Sequence, residues 1–172
     1  DKLKQWLADL QQRDVTAVAS ASEARRSAGF YSLVLINAPL PDETGFELAV
    51  ELAKRTDAAV ILLVKADLLD MINDAATDAG VLLVSKPVMP RLFEQTLRVG
   101  FACRNRMLLY KSENERLQKK YEELKVIDRA KCLLIEHMRI TEEEAHRVIE
   151  KEAMDARLPR VRVAKQVIER FE

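Results

Sequence analysis

The chain has 172 residues, enough for one large domain or two small ones with a buried core. Its 28 Lys and Arg residues balance 28 Asp and Glu, so whole-chain charge points to neither nucleic acid nor membrane, and any basic surface must be local. No run of about 18 apolar residues is present, the N-terminus does not read as a signal peptide, and Cys103 and Cys132 stand apart in helical stretches. These features predict a cytoplasmic protein with two buried thiols, with no disulfide, metal site or other cofactor.

The first hundred residues alternate between two periodicities. Leu3, Trp6, Leu7 and Leu10 recur at helical spacing, residues 15–19 read as a strand, and 22–28 as a short helix. Leu33, Val34, Leu35 and Ile36 form a continuous apolar run of strand length. Phe46, Leu48, Ala49, Leu52 and Ala53 mark the next helix. Residues 59–64 form another apolar run, 68–79 a helix, and 81–84 a third apolar run. Short apolar runs separated by helices are what a parallel sheet covered on both faces requires, and predict an α/β, doubly wound domain.

Two segments here, LVLINAPLPDETG and AGVLLVSKPV, resemble the third-strand and fifth-strand signatures of the receiver domain of response regulators, from Asp1 to about Gly100. The resemblance implies a flavodoxin-like fold and a pocket at the strand ends. There an aspartate takes a phosphoryl group, a Thr or Ser follows on the next strand, a Lys-Pro follows the last, and an acidic pair on the first strand binds Mg²⁺. Lys86 and Pro87 match that pattern. Asn37 stands in the phosphoacceptor slot, Lys65 in the hydroxyl slot and Leu83 at the usual aromatic switch position. The acidic pair is not found, since the chain opens inside what would be the first helix. The sheet is therefore expected either to lack its central strand or to have its second strand shifted onto 33–36. Phosphorylation needs a carboxylate nucleophile and a divalent metal, and an Asn amide supplies neither charge nor nucleophilicity. Asn37 reads as a strand-end residue capping its loop. Asp42 and Glu43, the conceivable substitute acceptors, are expected to be solvated, and Lys86 to hydrogen-bond the Asn37 amide oxygen or nearby carbonyls. Residues 1–100 thus read as a pseudo-receiver.

From residue 91 to about 138 there is no Pro and one Gly, Gly100. Met107, Asn114 and Tyr121 fall at one heptad position, with Tyr110, Leu117 and Leu124 at the other, and charged residues fill the outer face. An Asn at a core heptad position fixes register and two-strandedness. The plain alternative is a helix lying on the receiver sheet, which accounts for the stretch to about Cys103 and fails beyond it. Residues 101–126 are read as a coiled-coil linker that makes a homodimer.

Residues 127–172 read as a bundle of three short helices. Ile127, Ala130, Leu133 and Leu134 form the first stripe. Thr141 with Glu144 forms a capping box ahead of Ala145, Val148, Ile149 and Ala153. Pro159 breaks the chain before Val163, Ala164, Val167, Ile168 and Phe171. The pattern IDRAKCLLIEHM, TEEEAHRVIEKEAMDAR and VAKQVI resembles the ANTAR domain, the RNA-binding output module of transcription antitermination regulators. Basic residues crowd its end: Arg157, Arg160, Arg162, Lys165 and Arg170, with Arg129 and Lys131 in the first helix. Such a local concentration suits phosphate contacts, against the plain alternative of a solvated helix face. His137 and His146 read as boundary residues.

What the resemblance implies is a dimeric, non-enzymatic regulator that grips paired hairpins of a leader transcript, reading unpaired loop bases, so that a competing terminator does not form. With a silent receiver, a regulatory protein partner is the expected input. Two alternatives stand beside it. A DNA-binding response regulator of the helix-turn-helix type would also place a basic helix last, but the DARLPRVR connection reads as too long and proline-rigid for a tight turn. A dimerisation scaffold would bind no nucleic acid. An enzyme is disfavoured, for no Gly-rich phosphate loop, paired nucleophile and base, or metal spacing is present.

Overall fold

The computed structural model describes residues 2–9 and 14–172; Leu10, expected in the first helical stripe, lies outside them. The chain divides into two compact units, Asp1–Leu109 and Tyr110–Glu172.

The first unit is an α/β layer structure. In chain order it comprises α1 (Lys2–Asp9), α2 (Ala21–Ser27), a 3₁₀ turn (Ala28–Phe30), β1 (Leu33–Asn37), α3 (Phe46–Arg55), β2 (Ala59–Lys65), α4 (Ala66–Asp78), β3 (Val81–Lys86) and the start of α5 (Pro90–Met138). The strands pair in parallel in the order β1-β2-β3, Leu33 opposite Ala59 and Val60 opposite Val81. Alternation along the strands sorts the core into two faces. Val60, Leu62 and Val64 pack with Leu48, Ala49 and Leu52 of α3, Ala21 and Ala24 of α2 and Ala76 of α4. Ile61, Leu63 and Val84 pack on the other side with Phe93 and Leu97 of α5, beside Leu3, Trp6 and Leu7 of α1. The Trp6 and Phe93 rings lie 5.7 Å apart. Burying side chains such as Leu62 and Phe93, both fully enclosed, contributes roughly 1.5–3 kcal/mol each. The doubly wound arrangement therefore follows from strands apolar on both faces.

The strand expected at 15–19 does not form. Those residues carry no regular secondary structure, and β1 is an edge strand of the described sheet. A groove of about 630 Å³ separates them, with Val15, Ala17 and Val18 on one side and Leu33, Leu35 and Asn37 on the other. A strand exists through its ladder of hydrogen bonds, and across this groove 15–19 meets none. Of the two sheet arrangements expected, the described residues show the one without a central strand.

One glycine is fixed by geometry. Gly45 caps α3 at φ 88°, where a Cβ would sit 3.2 Å from that of Ala38 and 3.3 Å from Cγ2 of Ile36. Both backbone sign and space reserve the position for Gly.

The second unit is a helical bundle built from the end of α5, α6 (Glu142–Ala156) and α7 (Arg160–Phe171). α5 is a single helix of 49 residues, the uninterrupted stretch that the absence of Pro predicted. Both cysteines lie on it and both are exposed, so the expectation of buried thiols is corrected. Cys103 and Cys132 fall off the apolar stripes that Phe93 and Leu97, and Ala130, Leu133 and Leu134, turn inward.

Candidate nucleic-acid interface

The second unit owes its compactness to small residues. Ala130 of α5, Ala145 and Ala153 of α6 and Ala164 of α7 are buried together with Leu134, Ile149, Val163 and Val167. Alanines at these positions let three helix axes approach closely. α6 starts sharply because the Thr141 hydroxyl accepts the Glu144 N–H while the Glu144 carboxylate accepts the Thr141 N–H at 2.8 Å. It ends at Arg157, whose φ of 53° puts it in the left-handed region. Its N–H returns to the Met154 carbonyl, and that of Leu158 to Ala153, which satisfies the helix's last acceptors. The connection to α7 is therefore only Arg157, Leu158 and Pro159. The sequence suggested a long linker because DARLPRVR looks irregular throughout, but α6 continues through Ala156 and α7 begins at Arg160. Length alone does not distinguish this turn from a helix-turn-helix.

The bundle separates the expected basic residues into two groups. Arg129 donates from Nε to Glu172 at 2.8 Å. Lys131 lies 2.8 Å from Asp128 and 2.9 Å from Glu142, its side chain only 15% exposed. Arg160 lies 3.0 Å from Glu150, which also receives His146 at 3.2 Å. These three cations are matched by acids inside the unit. Hydrogen bonding to Glu172 raises Arg129 above its ordinary range, and hydrogen bonding to Asp128, then Glu142, does the same for Lys131. Arg157, Arg162 and Lys165 are exposed, and among the described residues they form no ion pair. Arg162 and Lys165, three apart, share one side of α7, opposite buried Val163, Ala164 and Val167.

One aromatic feature escaped sequence reasoning. His137, near the end of α5, stacks on Phe171 at the end of α7, with centroids 4.9 Å apart and planes 17° from parallel. Thirty-odd residues of sequence separate the two rings, and only the return of α7 along α5 brings them together.

The heptad residues lie at the surface. Tyr110, Leu117, Tyr121 and Leu124 are each more than half exposed and Met107 is 43% exposed, with Asn114 exposed among them. Ion pairs Arg116–Glu113 and Lys125–Glu122 run beside this stripe, and Lys125 also sits 5.6 Å from the Tyr121 ring centre. Leu124 and Ile127 line a groove of about 280 Å³ with Lys120, Pro159 and Arg160, so the end of the seam and the start of α7 share one recess.

In the first unit, Asn37, Lys65 and Lys86 end β1, β2 and β3. Lys86 Nζ donates to the Ala38 carbonyl, and burial, then the charge of Lys65, holds its pKa below the usual lysine range. Asp42 is exposed as expected, although it also accepts a backbone hydrogen bond, while Glu43 is partly buried in an ion pair, which corrects the expectation for Glu43. Both Asp42 oxygens accept the Ala21 N–H, at 3.2 and 3.0 Å, serving the start of α2. Glu43 pairs with Arg25 at 3.0 Å, and Arg25 reaches Glu51 at 2.7 Å. Sequence could not show this, because α2 and the loop after β1 meet only in the fold.

Residues 115–168 match the ANTAR domain. The match begins inside the stretch read as a linker and lies wholly within the second unit. Over 137 residues, 80% of this chain and 67% of the relative, the sequence is 28% identical to the transcriptional regulatory protein PdtaR of Mycobacterium tuberculosis, in both the CDC 1551 and H37Rv strains. Among solved structures, one described as adenylate cyclase from Rhodopirellula baltica superposes with a TM-score of 0.57 at 18% identity, covering 69% of this chain and 90% of that one. At that identity the likeness is one of fold. No helix among the described residues is long and apolar enough to cross a membrane. The chain thus has an ANTAR domain at residues 115–168, behind an α/β unit of receiver-like fold.

Proposed function

We propose that this protein is a dimeric, RNA-binding transcription antitermination regulator. The observation that carries the reading is the exposed set Arg157, Arg162 and Lys165, unmatched by acids among the described residues of a chain of zero net charge and placed in the segment that matches the ANTAR domain. Within the bundle Arg129, Lys131 and Arg160 find acidic partners, whereas Arg157, Arg162 and Lys165 form no ion pair among the described residues. Exposed cations left open in this way, two of them on one side of a helix, suit phosphate contacts. The dimer would form along Met107, Tyr110, Asn114, Leu117, Tyr121 and Leu124, whose exposed stripe has the heptad spacing of a two-stranded coil. Each protomer would hold one hairpin of a paired leader structure, and the bound form would exclude a terminator. The receiver-like unit would act without phosphorylation, since Asn37 is no phosphoacceptor, and a protein partner would supply the input in the cytoplasm.

A second reading is favoured by one feature, the three-residue turn between α6 and α7, which a DNA-binding helix-turn-helix would also use. One experiment decides between them. Full-length protein is titrated into a labelled RNA with two adjacent hairpins, then challenged with duplex DNA or unlabelled RNA. Displacement by RNA alone supports antitermination. Equal displacement by random duplex overturns it in favour of DNA binding, and no binding to either leaves a dimerisation scaffold.

A further inference from the structure

The two-stranded seam has a charge pattern along its edges that the core heptad residues do not reveal. With Asn114 and Tyr121 at one core position and Leu117 and Leu124 at the other, Glu113 and Lys120 fall on one flank, Gln118 and Lys125 on the other. Two copies running in the same direction set Asn114 opposite itself, amide against amide. Opposite directions would bury it against Leu117, a polar group without a partner. In the parallel pair each residue of the first flank meets the partner's residue five places further along the chain. Glu113 then faces the partner's Gln118, and Lys120 faces the partner's Lys125. Each edge of the coil therefore carries a contact between like charges, and no opposite-charge contact between residues 113 and 125 offsets it.

Neither lysine has a close acid partner among the described residues, and both are exposed. Lys125 reaches Glu122 only at 3.8 Å, beyond the roughly 2.8 Å of a charge-assisted hydrogen bond. Glu122 already accepts from the Gln118 amide at 3.0 Å, and Glu113 is bonded to Arg116 at 2.9 Å. Lys120 lines the recess of about 280 Å³ with Leu124, Ile127, Pro159 and Arg160. Glu123 also lines it, one carboxylate against two ammoniums once the partner's Lys125 is in place. Arg160 there is matched by Glu150. The exposed cations Arg157 and Arg162 stand just before Pro159 and just after Arg160 in the chain, so the recess adjoins the surface proposed to contact RNA.

We propose that Lys120 and the partner's Lys125 form a composite site for an RNA phosphate on each flank of the dimer. The inference rests on the two-stranded seam and the RNA binding proposed above. A phosphodiester between the two ammoniums replaces their repulsion with two attractions, so the transcript tightens the dimer that holds it. Without RNA the same contacts oppose association, and salt screens them. Dimerisation therefore strengthens as salt rises, whereas phosphate binding weakens. Association and RNA binding are linked, each favouring the other by the same factor.

Sedimentation equilibrium of the full chain across a sodium chloride series tests the contact, and titration with the two-hairpin RNA tests the site. The parent dimer should tighten with salt. Lys120→Glu, at an exposed position, makes both contacts attractive and should tighten association about fivefold at low salt. Adding Lys125→Glu to it restores like charges and should return association to the parent value. Lys119→Glu, the same charge change on the outer face, should have little effect. In RNA titrations Lys120→Gln should lose about one unit of salt slope per flank, although its dimer is tighter than the parent's. A Lys120→Glu dimer no tighter than the parent, a double variant as tight as the single one, or an unchanged salt slope in Lys120→Gln would overturn the proposal alone. A chain that is monomeric in every variant, or that binds no RNA, overturns the underlying reading as well.

Discussion

Lys131 and Glu142 join α5 to the start of α6 through a 2.9 Å ion pair, and Asp128 holds the same ammonium from the preceding turn at 2.8 Å. With its side chain 15% exposed, Lys131 is oriented by the bundle itself, whereas Arg162 and Lys165 on α7 have no acid partner among the described residues. Replacing each of the three by Ala should separate two roles. Arg162→Ala and Lys165→Ala should each lower RNA affinity and reduce the slope of log K against log salt by roughly one unit per lost phosphate contact. Lys131→Ala should lower the melting temperature more than the salt slope. Titrations at several salt concentrations, paired with thermal melts, check this; equal slope losses for Lys131 and Arg162 would return Lys131 to the binding face.

Arg157 allows charge and fold to be tested at one position. Its φ of 53° costs a residue with a Cβ about 1 kcal/mol relative to Gly. Arg157→Gly removes the cation yet eases the backbone, so stability should hold or rise while RNA affinity and salt slope fall. Arg157→Ala removes the cation and keeps the strain. If both variants bind RNA like the parent, Arg157 belongs to the cap alone.

The cap at the other end of α6 should show in pH dependence. Thr141→Ala is expected to destabilise the second unit by about 1 kcal/mol. The Glu144 carboxylate is held below its ordinary range, first by the Thr141 N–H and then by the Thr141 hydroxyl. A depressed carboxylate contributes stability that is complete above its unfolded pKa and is lost as pH falls through the folded value. The contribution is thus present at neutral pH and fades in the acid range below the ordinary glutamate pKa. Denaturant melts between neutral and acid pH should show a smaller decline in Glu144→Gln than in the parent. Identical declines would mean that the reciprocal cap is not maintained in solution.

How much of this was legible without coordinates depended on the range of the interactions. Local signals read correctly: the apolar runs at Leu33, Ala59 and Val81, the Thr141–Glu144 box, and the Pro-free helix to Met138 are each written within a few residues. Errors arose where a distant element decides. The residues 15–19 have strand composition but face a groove instead of a partner. Glu43 looks like a solvated loop acid until α2 approaches with Arg25. Cys103 and Cys132 lie on the outward side of a helix whose period their apolar neighbours already declared. The basic cluster was visible as a list, but its division into paired Arg129, Lys131 and Arg160 and unpaired Arg157, Arg162 and Lys165 required the fold to bring Glu172, Glu142 and Glu150 alongside.

Acetyl phosphate with Mg²⁺ should leave the receiver-like unit unmodified. Asn37 has no carboxylate to attack phosphorus, and Asp42 and Glu43 are committed to the Ala21 N–H and Arg25. Intact mass after incubation should equal that of the untreated chain, and sedimentation should be unchanged. A stable phosphoryl adduct on any residue of the first unit would refute a phosphorylation-independent input. Asn37→Asp is the informative companion: it restores a nucleophile beside Lys86, yet Lys65 still stands where the resemblance expects a hydroxyl, so labelling should remain negligible.

The seam connects assembly to binding. Asn114→Leu should tighten association while relaxing oligomer number, because a buried Asn that disfavours larger assemblies is gone. Leu117→Lys or Leu124→Lys should separate the protomers, since like charges would then meet across an apolar seam. Both leucines are already more than half exposed in the single chain, so neither change removes core packing from the monomer, and its fold should survive. If two modules grip one RNA, loss of the partner abolishes the effectively intramolecular second contact, and affinity for paired hairpins should fall on the order of 10²-fold while affinity for a single hairpin stays nearly constant. Analytical ultracentrifugation with RNA titrations of both substrates checks the two halves together. A monomeric Leu117→Lys protein that holds paired hairpins as tightly as the parent would leave each module acting alone.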